Sequence, residues 1–380
     1  MKNNLKHEWR KAFIQNMDNS YEVDAAILMH PRVWEASGHV SSFSDPLMDC
    51  KHCKTRHRAD NLISSFNPTI NPDTLSILEM QTYIEEQQIT CPNCGKHNFT
   101  DIRQFNLMFK TNRGVVEDDK SAVYLRPENA QGEYVNYLNV MRSMRAKIPF
   151  AIGQIGKAFR NEITPGNFIF RTIEFEQMEY QVFCKPGDDE KLYEKFKLFA
   201  MDFITSLGIP QNKLQYKDHA KLAHYAKAAC DVEYEFPFGW GEINGTHNRT
   251  DFDLTNHQSF SGQKMEYLDP VTNERYIPYI VESTYGADRL VLAVLSEAYT
   301  KDIVNDEERI VLRLLPKIAP YKVAVLPLAK KYHGEEATKI YQSIRSAFMT
   351  IYDETGSIGK RYRRQDAIGT PFCITIDEET

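Results

Sequence analysis

Two stretches rich in β-branched and aromatic residues, joined by a short segment containing Pro165 and Gly166, constrain the fold of this chain more than any other feature. They cover residues 150–162 and 168–183. β-Branched and aromatic residues favour strands, whereas Pro and Gly are typical of turns. The sequence therefore predicts a long antiparallel hairpin with a short loop.

Alternation along this predicted hairpin collects charged and aromatic side chains. Arg171, Phe175 and Glu179 share one face of the second strand if no bulge intervenes, and Arg160 and Glu162 share a face of the first. Arginine matches phosphate oxygens, an aromatic ring can stack on adenine, and a carboxylate can accept from the adenine amino group. If the faces coincide, the hairpin suits ATP. A half-buried sheet with its charges in water is the alternative that periodicity alone favours.

Hydrophobic periodicity predicts the elements around the hairpin. Strands are predicted over residues 105–110, 122–125 and 279–283, and helices over 5–17, 128–141, 188–207, from 287, and over 335–352. The chain has 380 residues, of which 42% are hydrophobic, so it can bury a large core in two or three domains. Prolines around a β-branched strand after residue 315 predict a smaller α/β domain from near Ile318.

Four of the seven cysteines form two CxxC pairs. Four thiolates complete a tetrahedral set for structural Zn²⁺, and the predicted ligands are Cys50, Cys53, Cys91 and Cys94. His52 and His57 are alternative ligands, and a site that has lost its metal is the alternative to zinc. Such cysteine usage, with no signal peptide and no apolar run long enough to span a bilayer, predicts a cytoplasmic protein without membrane association.

Several sequence strings resemble one enzyme family. GKAFRNE followed by RTIEF is similar to the second motif of class II aminoacyl-tRNA synthetases, and STYGADR before an apolar helix is similar to the third. RVWEASGHVSSFSDPL, LRPENAQGEY, EFEQMEYQVF and WGEINGTHNRTDFDL resemble glycyl-tRNA synthetases. The resemblance implies an α+β fold: a class II antiparallel sheet flanked by helices in residues 1–317, with a zinc-knuckle insertion in 45–100, and a partial α/β anticodon-binding domain in 318–380. It also implies a homodimer.

The same resemblance implies an ATP site. Its residues would be Arg160, Glu162, Arg171, Phe175, Glu282 and Arg289. Arg160 would hold the α-phosphate, Glu162 would read the adenine edge and Phe175 would stack on it. Arg171 and Arg289 would hold the outer phosphates, and Glu282 would help to hold Mg²⁺. Arg289 also falls in the first turn of a predicted helix, where backbone N–H groups favour an anion.

A glycine site is implied as well. Because glycine has no side chain to grip, selectivity must come from anchoring its ammonium and carboxylate in a space too small for a β-carbon. The implied residues are Glu128, Glu179, Glu242, Glu282, Thr284 and Arg126. Glu179 and Glu282 are assigned to the ammonium, Arg249 lies near the reacting carboxylate, and Thr284 replaces the family's usual Ser. Each charge has the alternative of a surface ion pair.

The implied reaction forms glycyl-adenylate from glycine and ATP and then transfers glycine to tRNA(Gly). Positioning and charge stabilisation carry such chemistry, so the catalytic residues would be Arg160, Arg249 and Arg289. The net charge of -6 gives no global attraction to RNA, and contacts must come from local basic patches. A basic cluster in the last domain is the candidate for tRNA binding, and it comprises Lys360, Arg361, Arg363 and Arg364 beside Tyr362.

The chain departs from the family pattern in several places. It starts inside the helix of the first motif and stops before the end of the last domain, which indicates a fragment or a naturally short form. Asn129 replaces a usual Thr, and Glu133 and Tyr134 replace a pair that is commonly apolar. Two alternatives remain open: a non-catalytic binding protein on the synthetase fold, or a class II enzyme for serine, proline or threonine.

Overall fold

The computed structural model describes residues 1–115, 121–219, 222, 225–304 and 306–380, and only the backbone of Asp73. The α-helices are α1 (Lys2–Arg10), α2 (Pro31–Ala36), α3 (His39–Ser42), α4 (Ala59–Phe66), α5 (Ile77–Glu86), α6 (Ala130–Val135), α7 (Tyr137–Ser143), α8 (Asp189–Ser206), α9 (Phe252–Ser261), α10 (Ala287–Ala298), α11 (Lys330–Ile344) and α12 (Ile358–Ile368). A π-helical turn, Lys11–Gln15, extends α1, and short 3₁₀ turns cover Pro72–Thr74 and Gln211–Lys213.

Strands make up the remaining regular structure. They are β1 (Ser20–Glu22), β2 (Ser44–Asp49), β3 (Arg56–Arg58), β4 (Arg103–Asn106), β5 (Lys110–Asn112), β6 (Ala122–Tyr124), β7 (Phe150–Phe159), β8 (Glu174–Cys184), β9 (Leu214–Asp218), β10 (Ala228–Phe236), β11 (Gly239–Thr250), β12 (Tyr267–Leu268), β13 (Arg275–Tyr276), β14 (Tyr279–Gly286), β15 (Tyr299–Val304), β16 (Glu307–Leu312), β17 (Val323–Pro327), β18 (Thr350–Tyr352) and β19 (Phe372–Ile376).

A seven-stranded sheet organises the larger part of the molecule, in the order β1-β7-β8-β14-β11-β10-β9. Neighbouring strands in this sheet are antiparallel, except that the short β1 runs parallel to β7. Each of the five interior strands, β7, β8, β14, β11 and β10, is hydrogen-bonded on both edges. The predicted α+β class with an antiparallel sheet is therefore confirmed.

The predicted hairpin exists, but its loop is long rather than short. β7 ends at Phe159 and β8 begins only at Glu174. The ladder stops because the chain turns away after Arg160, and the N–H of Asn161 donates to the carbonyl of Leu107 at 2.9 Å. Arg160, Glu162 and Arg171 consequently lie in the connection, so the prediction that they share strand faces is wrong. Phe175 and Glu179 do share a face of β8, which runs without a bulge.

The main core lies between one face of this sheet and the helices α1, α8 and α10. The ring of Phe13 is its centre, and its centroid lies between 5.1 and 5.5 Å from those of Trp9, Tyr180, Phe199, Phe203 and Tyr285. Fully burying one such side chain stabilises the fold by about 1.5–3 kcal/mol. Because alternation sends Met178, Tyr180 and Val182 of β8 to this core, Gln177, Glu179 and Gln181 face the other side, towards α6.

Two of the predicted helices are divided. Residues 128–141 form α6 and α7, separated at Asn136, whose side-chain amide donates to the Gly132 carbonyl at 2.8 Å and competes with the helical backbone bond. Residues 335–352 do not form one helix either. α11 ends at Ile344, and the β-branched Thr350 and Ile351 begin β18, which pairs parallel to β17.

Two smaller units flank the large sheet. One contains the sheet β3-β2-β4 with α4 and α5, packed around an apolar cluster that includes Ile63 and Ile84. The other is the parallel sheet β18-β17-β19 covered by α11 and α12, which begins shortly after the buried Ile318. Among the described residues, no helix is both long and apolar enough to cross a membrane.

Candidate active site

A cleft lies at the hairpin connection and the end of β14. It brings together most of the predicted ATP residues and two of the predicted glycine residues. The lining side chains from those sets are Arg160, Glu162, Arg171, Phe175, Glu242, Thr284 and Arg289. Residues that are distant in sequence thus share one cavity, and three of them are arginines. We call Arg160, Arg171 and Arg289 the arginine end of the site.

Arg160 is held by aromatic faces and by a carbonyl group. Its guanidinium lies 5.3 Å from the ring centroids of both Phe43 and Phe175, and its Nε donates to the Pro127 carbonyl at 3.2 Å. These contacts fix the side chain without neutralising it. The remaining guanidinium N–H groups can therefore bind an anion such as phosphate.

Arg289 stands at the start of α10, as predicted, and shares its charge with one carboxylate. Its Nη1 lies 3.0 Å from Oε2 of Glu242, its Nε donates to the Phe170 carbonyl at 3.1 Å, and its guanidinium stacks 4.3 Å from the Phe170 ring centroid. The Glu242 side chain is 47% exposed, so water screens this pair. Glu242 therefore belongs to the arginine end in this structure.

Arg171 has a similarly loose partner. Its Nη1 lies 3.6 Å from Oε2 of Glu162, and no tighter hydrogen bond joins the two side chains. Such a pair contributes about 0–1 kcal/mol and can reform when a ligand arrives. Phe175 presents its ring in the same cleft.

The predicted glutamates gather one step deeper along the sheet. Glu179 on β8 lies directly opposite Thr284 on β14, and Glu282 lies opposite His247 on β11. Thr284 and Gln177 border the cleft, and Glu179 and Glu282 are the residues two positions farther along the same strands. We call Glu128, Glu179 and Glu282, with the arginine between them, the glutamate end.

That arginine is Arg249, which is 1% exposed. It donates to Asp253 at 2.8 and 3.1 Å and to Oε2 of Glu282 at 2.7 Å, and it lies 3.9 Å from Oε1 of Glu128. Its guanidinium also stacks 3.9 Å from the Tyr225 ring centroid. Arg249 is thus enclosed by carboxylates and holds several of them in place.

Two of the glutamates are ionised because of these contacts. Burial alone would favour the neutral form, but Arg249 and His247 outweigh it and lower the pKa of Glu282 to about 2. Burial is likewise outweighed at Glu128, whose pKa is lowered by His39, 3.5 Å away, and by Arg249. Oε1 of Glu282 also accepts from the Thr284 hydroxyl at 2.7 Å.

Glu179 is different. One of its oxygens accepts from the Asn129 backbone N–H at 3.1 Å, and the other has no partner within the described part of the chain. Burial, together with the carboxylates of Glu282 and Glu128, raises the pKa of Glu179 well above its ordinary value. Glu133, on the next turn of α6, is fully buried and both of its oxygens lack described partners.

Arg126 supports this end from behind. It is 2% exposed, and it donates to the carbonyls of Lys157 at 2.6 Å and Ala25 at 2.8 Å. A Cβ at Gly156 would lie 2.3 Å from its Nη2, so only glycine fits there. Arg126 therefore anchors the chain before α6, and its direct contact with a substrate stays a prediction.

The two cysteine pairs converge. Sγ of Cys50 lies 3.7 Å from that of Cys94, Sγ of Cys53 lies 3.6 Å from that of Cys91, and all four lie within 4.8 Å of one another. Tetrahedral Zn²⁺ with Zn–S bonds of about 2.3 Å requires S···S separations of about 3.8 Å, which matches. His57 approaches Cys91, with Nε2 3.2 Å from Sγ, so it contacts the cluster from outside.

The predicted basic cluster lies on α12 and is not uniform. Arg361 is 4% exposed and donates to the carbonyls of Pro327, Glu354 and Gly356. An arginine used in this way holds the domain together, so the prediction that Arg361 binds tRNA is not supported. Exposed members of the cluster are Lys360, Arg363 and Arg364, of which Arg363 pairs with Glu307 and Arg364 with Asp353.

Sequence reasoning missed some contributors to the site. Phe170 stacks on Arg289, but it follows a turn and has no periodicity that would mark it. Asp253 lies four residues after Arg249, but Arg249 is on β11 and Asp253 is in the first turn of α9, so their contact crosses a strand-to-helix turn and has no helical spacing that would mark it. His39, in the string SGHVSS, has a partner far away in sequence, so no local pattern shows its contact with Glu128.

Comparison with family models identifies the class of protein that this fold and site define. Residues 108–298 match the class II tRNA synthetase core domain of the G, H, P, S and T group, residues 322–380 match an anticodon-binding domain, and residues 66–107 match glycyl-tRNA synthetase insertion domain 1. The solved structure of Giardia lamblia prolyl-tRNA synthetase in complex with prolyl-adenylate shares the fold, with a TM-score of 0.62 at 13% identity. That similarity covers 99% of this chain and 63% of the other. The molecule is built as a class II aminoacyl-tRNA synthetase.

Relatives with high identity narrow the assignment. The glycine–tRNA ligase of Caldanaerobacter subterraneus is 56% identical over 99% of this chain and 83% of its own length. The glycine–tRNA ligase of Alkaliphilus oremlandii is 54% identical over 100% of this chain and 84% of its own length. The chain belongs to the glycyl-tRNA synthetase family.

Proposed function

We propose that this chain activates glycine with ATP and transfers the glycyl group to tRNA(Gly). One observation carries the proposal: the arginine end and the glutamate end adjoin along β8 and β14. Thr284 lines the cleft and donates to Glu282 at 2.7 Å, so a phosphate group and an ammonium group can bind side by side. The glycine carboxylate would then attack the α-phosphorus, and pyrophosphate would leave.

At the arginine end, positive charge can stabilise the phosphates as the reaction proceeds. Arg160 is the best candidate for the α-phosphate because its guanidinium is fixed by two aromatic rings and has no carboxylate partner in the described residues. Arg171 and Arg289 would exchange Glu162 and Glu242 for the outer phosphates. Phe175 would stack on adenine. Preorganised donors of this kind typically contribute 10²–10³-fold to the rate, or about 2.7–4 kcal/mol.

At the glutamate end, Glu179 is the best ammonium acceptor, because one oxygen of this buried side chain has no described partner. Glu282 and Glu128 bind Arg249, which we assign as a positioning residue rather than one that contacts ATP. The extra methyl group of Thr284 narrows the space beside Glu179, which favours glycine over larger amino acids.

We include Mg²⁺ as the companion of ATP, but we do not place Glu282 among its ligands. Both oxygens of Glu282 are already engaged, one by Arg249 at 2.7 Å and the other by Thr284 at 2.7 Å. A carboxylate in a strong buried ion pair is a poor ligand for a cation that requires close octahedral coordination.

ATP–pyrophosphate exchange tests the activation step. With glycine, alanine and serine in parallel, we expect exchange with glycine alone. Arg160→Ala should reduce exchange at least about 100-fold. Arg345→Ala, which removes an exposed arginine of the last domain, is the matched control and should leave exchange unchanged. No exchange with any amino acid would favour the non-catalytic alternative, and exchange led by serine would refute the glycine assignment.

We further propose that the cysteine cluster binds structural Zn²⁺. Four thiolates leave no open coordination position, so the metal would stabilise the unit of β2–β4 rather than take part in the reaction. Metal analysis of the purified protein should find one zinc per chain, and a Cys53→Ala and Cys91→Ala double variant should contain none. Zinc-free wild-type protein with an intact fold would contradict this assignment.

Transfer to tRNA would use the last domain. Lys360, Arg363 and Arg364 remain candidates for phosphate contact, whereas Arg361 does not. Homodimer formation is a prediction that analytical ultracentrifugation can test. We place the protein in the cytoplasm, because two CxxC pairs arranged to bind Zn²⁺ suit a reducing compartment.

A further inference from the structure

The glutamate end contains more buried acids than buried bases. Five carboxyl groups meet there, from Glu128, Glu133, Glu179, Asp253 and Glu282, beside the guanidinium groups of Arg126 and Arg249. The other titratable groups that face them are His39 on α3, Tyr134 on α6, Tyr225, His247 on β11 and His257 on α9. Full ionisation would leave an uncompensated negative charge away from water.

Existing ion pairs account for three of these carboxylates. Asp253 and Glu282 bind Arg249 directly, and Glu128 is bound by His39 and lies 3.9 Å from Arg249. Nε and Nη1 of Arg126 donate to backbone carbonyls, and Arg126 forms no ion pair with Glu179 or Glu133 within the described residues. Glu179 and Glu133 are therefore left without a cationic partner among the described residues.

A buried carboxylate without a cationic partner destabilises the folded protein by several kcal/mol. A carboxyl group avoids this loss of folding free energy by keeping its proton. The geometry agrees for both residues: Glu179 is 1% exposed with one oxygen unpartnered, and Glu133 is 0% exposed with both oxygens unpartnered. Burial and the neighbouring carboxylates raise the pKa of each well above its ordinary value.

We infer that the empty amino-acid site carries a proton on Glu179, and that binding of the substrate ammonium group releases it. In this step the O–H bond of Glu179 breaks, its electron pair stays on the oxygen, and the proton passes to the solvent. The ammonium group keeps its own three protons and becomes the cationic partner of the new carboxylate. This inference rests on the proposed function.

Glu179 is the group that changes, because it shares a face and a cross-strand pair with Thr284 at the cleft wall. Neither glutamate lines the cleft itself, but Glu179 is paired across the strands with Thr284, which does, whereas Glu133 lies on α6 and has no such pairing. It should keep its proton whether the site is empty or filled. Glu133→Gln is therefore a matched control: it removes an equally buried carboxyl group from the same cluster without touching the substrate.

Calorimetry can count the released proton. The full chain is titrated with 5′-O-(glycylsulfamoyl)adenosine and, separately, with the acetyl analogue, which lacks only the ammonium group. At about pH 6 a free α-amino group, with a pKa of about 7.7–8.0, is already protonated, so any proton released comes from the protein. Repeating each titration in buffers of different ionisation enthalpy gives the number of protons.

We expect the glycyl analogue to release about one proton more than the acetyl analogue. Glu179→Gln should reduce this difference to near zero, and Glu133→Gln should preserve it. The Glu179→Gln variant could bind the analogues too weakly for calorimetry. The wild-type protein then gives the test: the ratio of its dissociation constants for the acetyl and glycyl analogues should change by up to about tenfold per pH unit. Equal release by both analogues, or loss of the difference only in Glu133→Gln, would overturn the inference. Failure of both analogues to bind would refute the proposed function and not this coupling.

Discussion

The arginine end and the glutamate end use arginine in opposite ways. Arg289 and Arg171 are partly exposed and have one weak carboxylate partner each, whereas Arg249 is buried and enclosed by three carboxylates. A loosely paired arginine can exchange its partner for a phosphate group at little cost. An enclosed one cannot, because removing it from its partners would leave charges buried alone. Sequence motifs describe both as site arginines, and only the surroundings separate a binding group from a positioning group.

This contrast makes its strongest prediction at Arg249. Arg249→Met should destabilise the catalytic domain by about 3–5 kcal/mol, because Asp253 and Glu282 would lose their buried partner. Arg289→Met, the matched change at the arginine end, should alter stability by less than about 1 kcal/mol. Urea unfolding followed by intrinsic fluorescence measures both. Equal destabilisation by the two variants would show that the ends do not differ in the way proposed.

Replacing Arg289 should affect activity much more than stability. Arg289→Ala should reduce ATP–pyrophosphate exchange about 10²–10³-fold while the protein stays folded, because a guanidinium placed for the outer phosphates acts mainly in the reaction. Arg313→Ala, an exposed arginine shortly after β16, is the control. Near-normal exchange in Arg289→Ala would remove this residue from the phosphate site.

Features that depend on local spacing could be predicted from the sequence, whereas features that depend on cross-strand register could not. The hairpin, the start of α10 and the CxxC pairs depend on local spacing, and the structure contains all three, although the hairpin strands stop short of the predicted turn. Arg249 depends on register: the irregular pairing between β11 and β14 near Asn248 and Thr250, together with the turn from β11 into α9 that brings Asp253 close, sets its partners. Cross-strand register has no local signature in one sequence, so the enclosure of Arg249 was not predictable.

The hairpin connection illustrates the same limit. Residues 160–162 and 168–173 have strand-like composition, yet the backbone N–H of Asn161 donates to the carbonyl of Leu107, a residue more than fifty positions earlier. A competing long-range partner ended the ladder. The cleft exists because these residues left the strand. It brings most of the predicted ATP residues together although the predicted strand faces were wrong, and the roles of these residues stay predictions.

Glu133 tests the cost of burying acids at the glutamate end. Glu133→Leu should stabilise the protein by about 1–3 kcal/mol near neutral pH, because a carboxyl group with no partner would be replaced by an apolar side chain. Glu133→Gln should increase stability less than Glu133→Leu, since the glutamine amide would still lack hydrogen-bond partners.

The pH dependence gives this prediction its sign. The native pKa of Glu133 is raised above the unfolded value by burial and by Glu179. Below the unfolded pKa, both states hold the proton and ionisation costs nothing. As pH rises above it, only the unfolded chain ionises, so native stability falls until pH passes the native pKa. The gain from Glu133→Leu should therefore be larger at neutral pH than near pH 4, as thermal unfolding at both values can measure. A gain that does not change with pH would mean that Glu133 is ionised in the native protein.

Glu242 could belong to either end of the site. Of the variants considered, Glu242→Gln should have the smallest effect on activity. The family resemblance assigns it to the glycine pocket, but its carboxylate lies 3.0 Å from Arg289 and 47% of its side chain is exposed. If it belongs to the arginine end, ATP must compete with it, and Glu242→Gln should lower the KM for ATP by up to about fivefold, the equivalent of about 1 kcal/mol for an exposed ion pair. The KM for glycine should not change. If instead Glu242→Gln raises the KM for glycine and leaves that for ATP unchanged, Glu242 moves to the ammonium group when substrates bind, and the boundary between the ends shifts during the reaction.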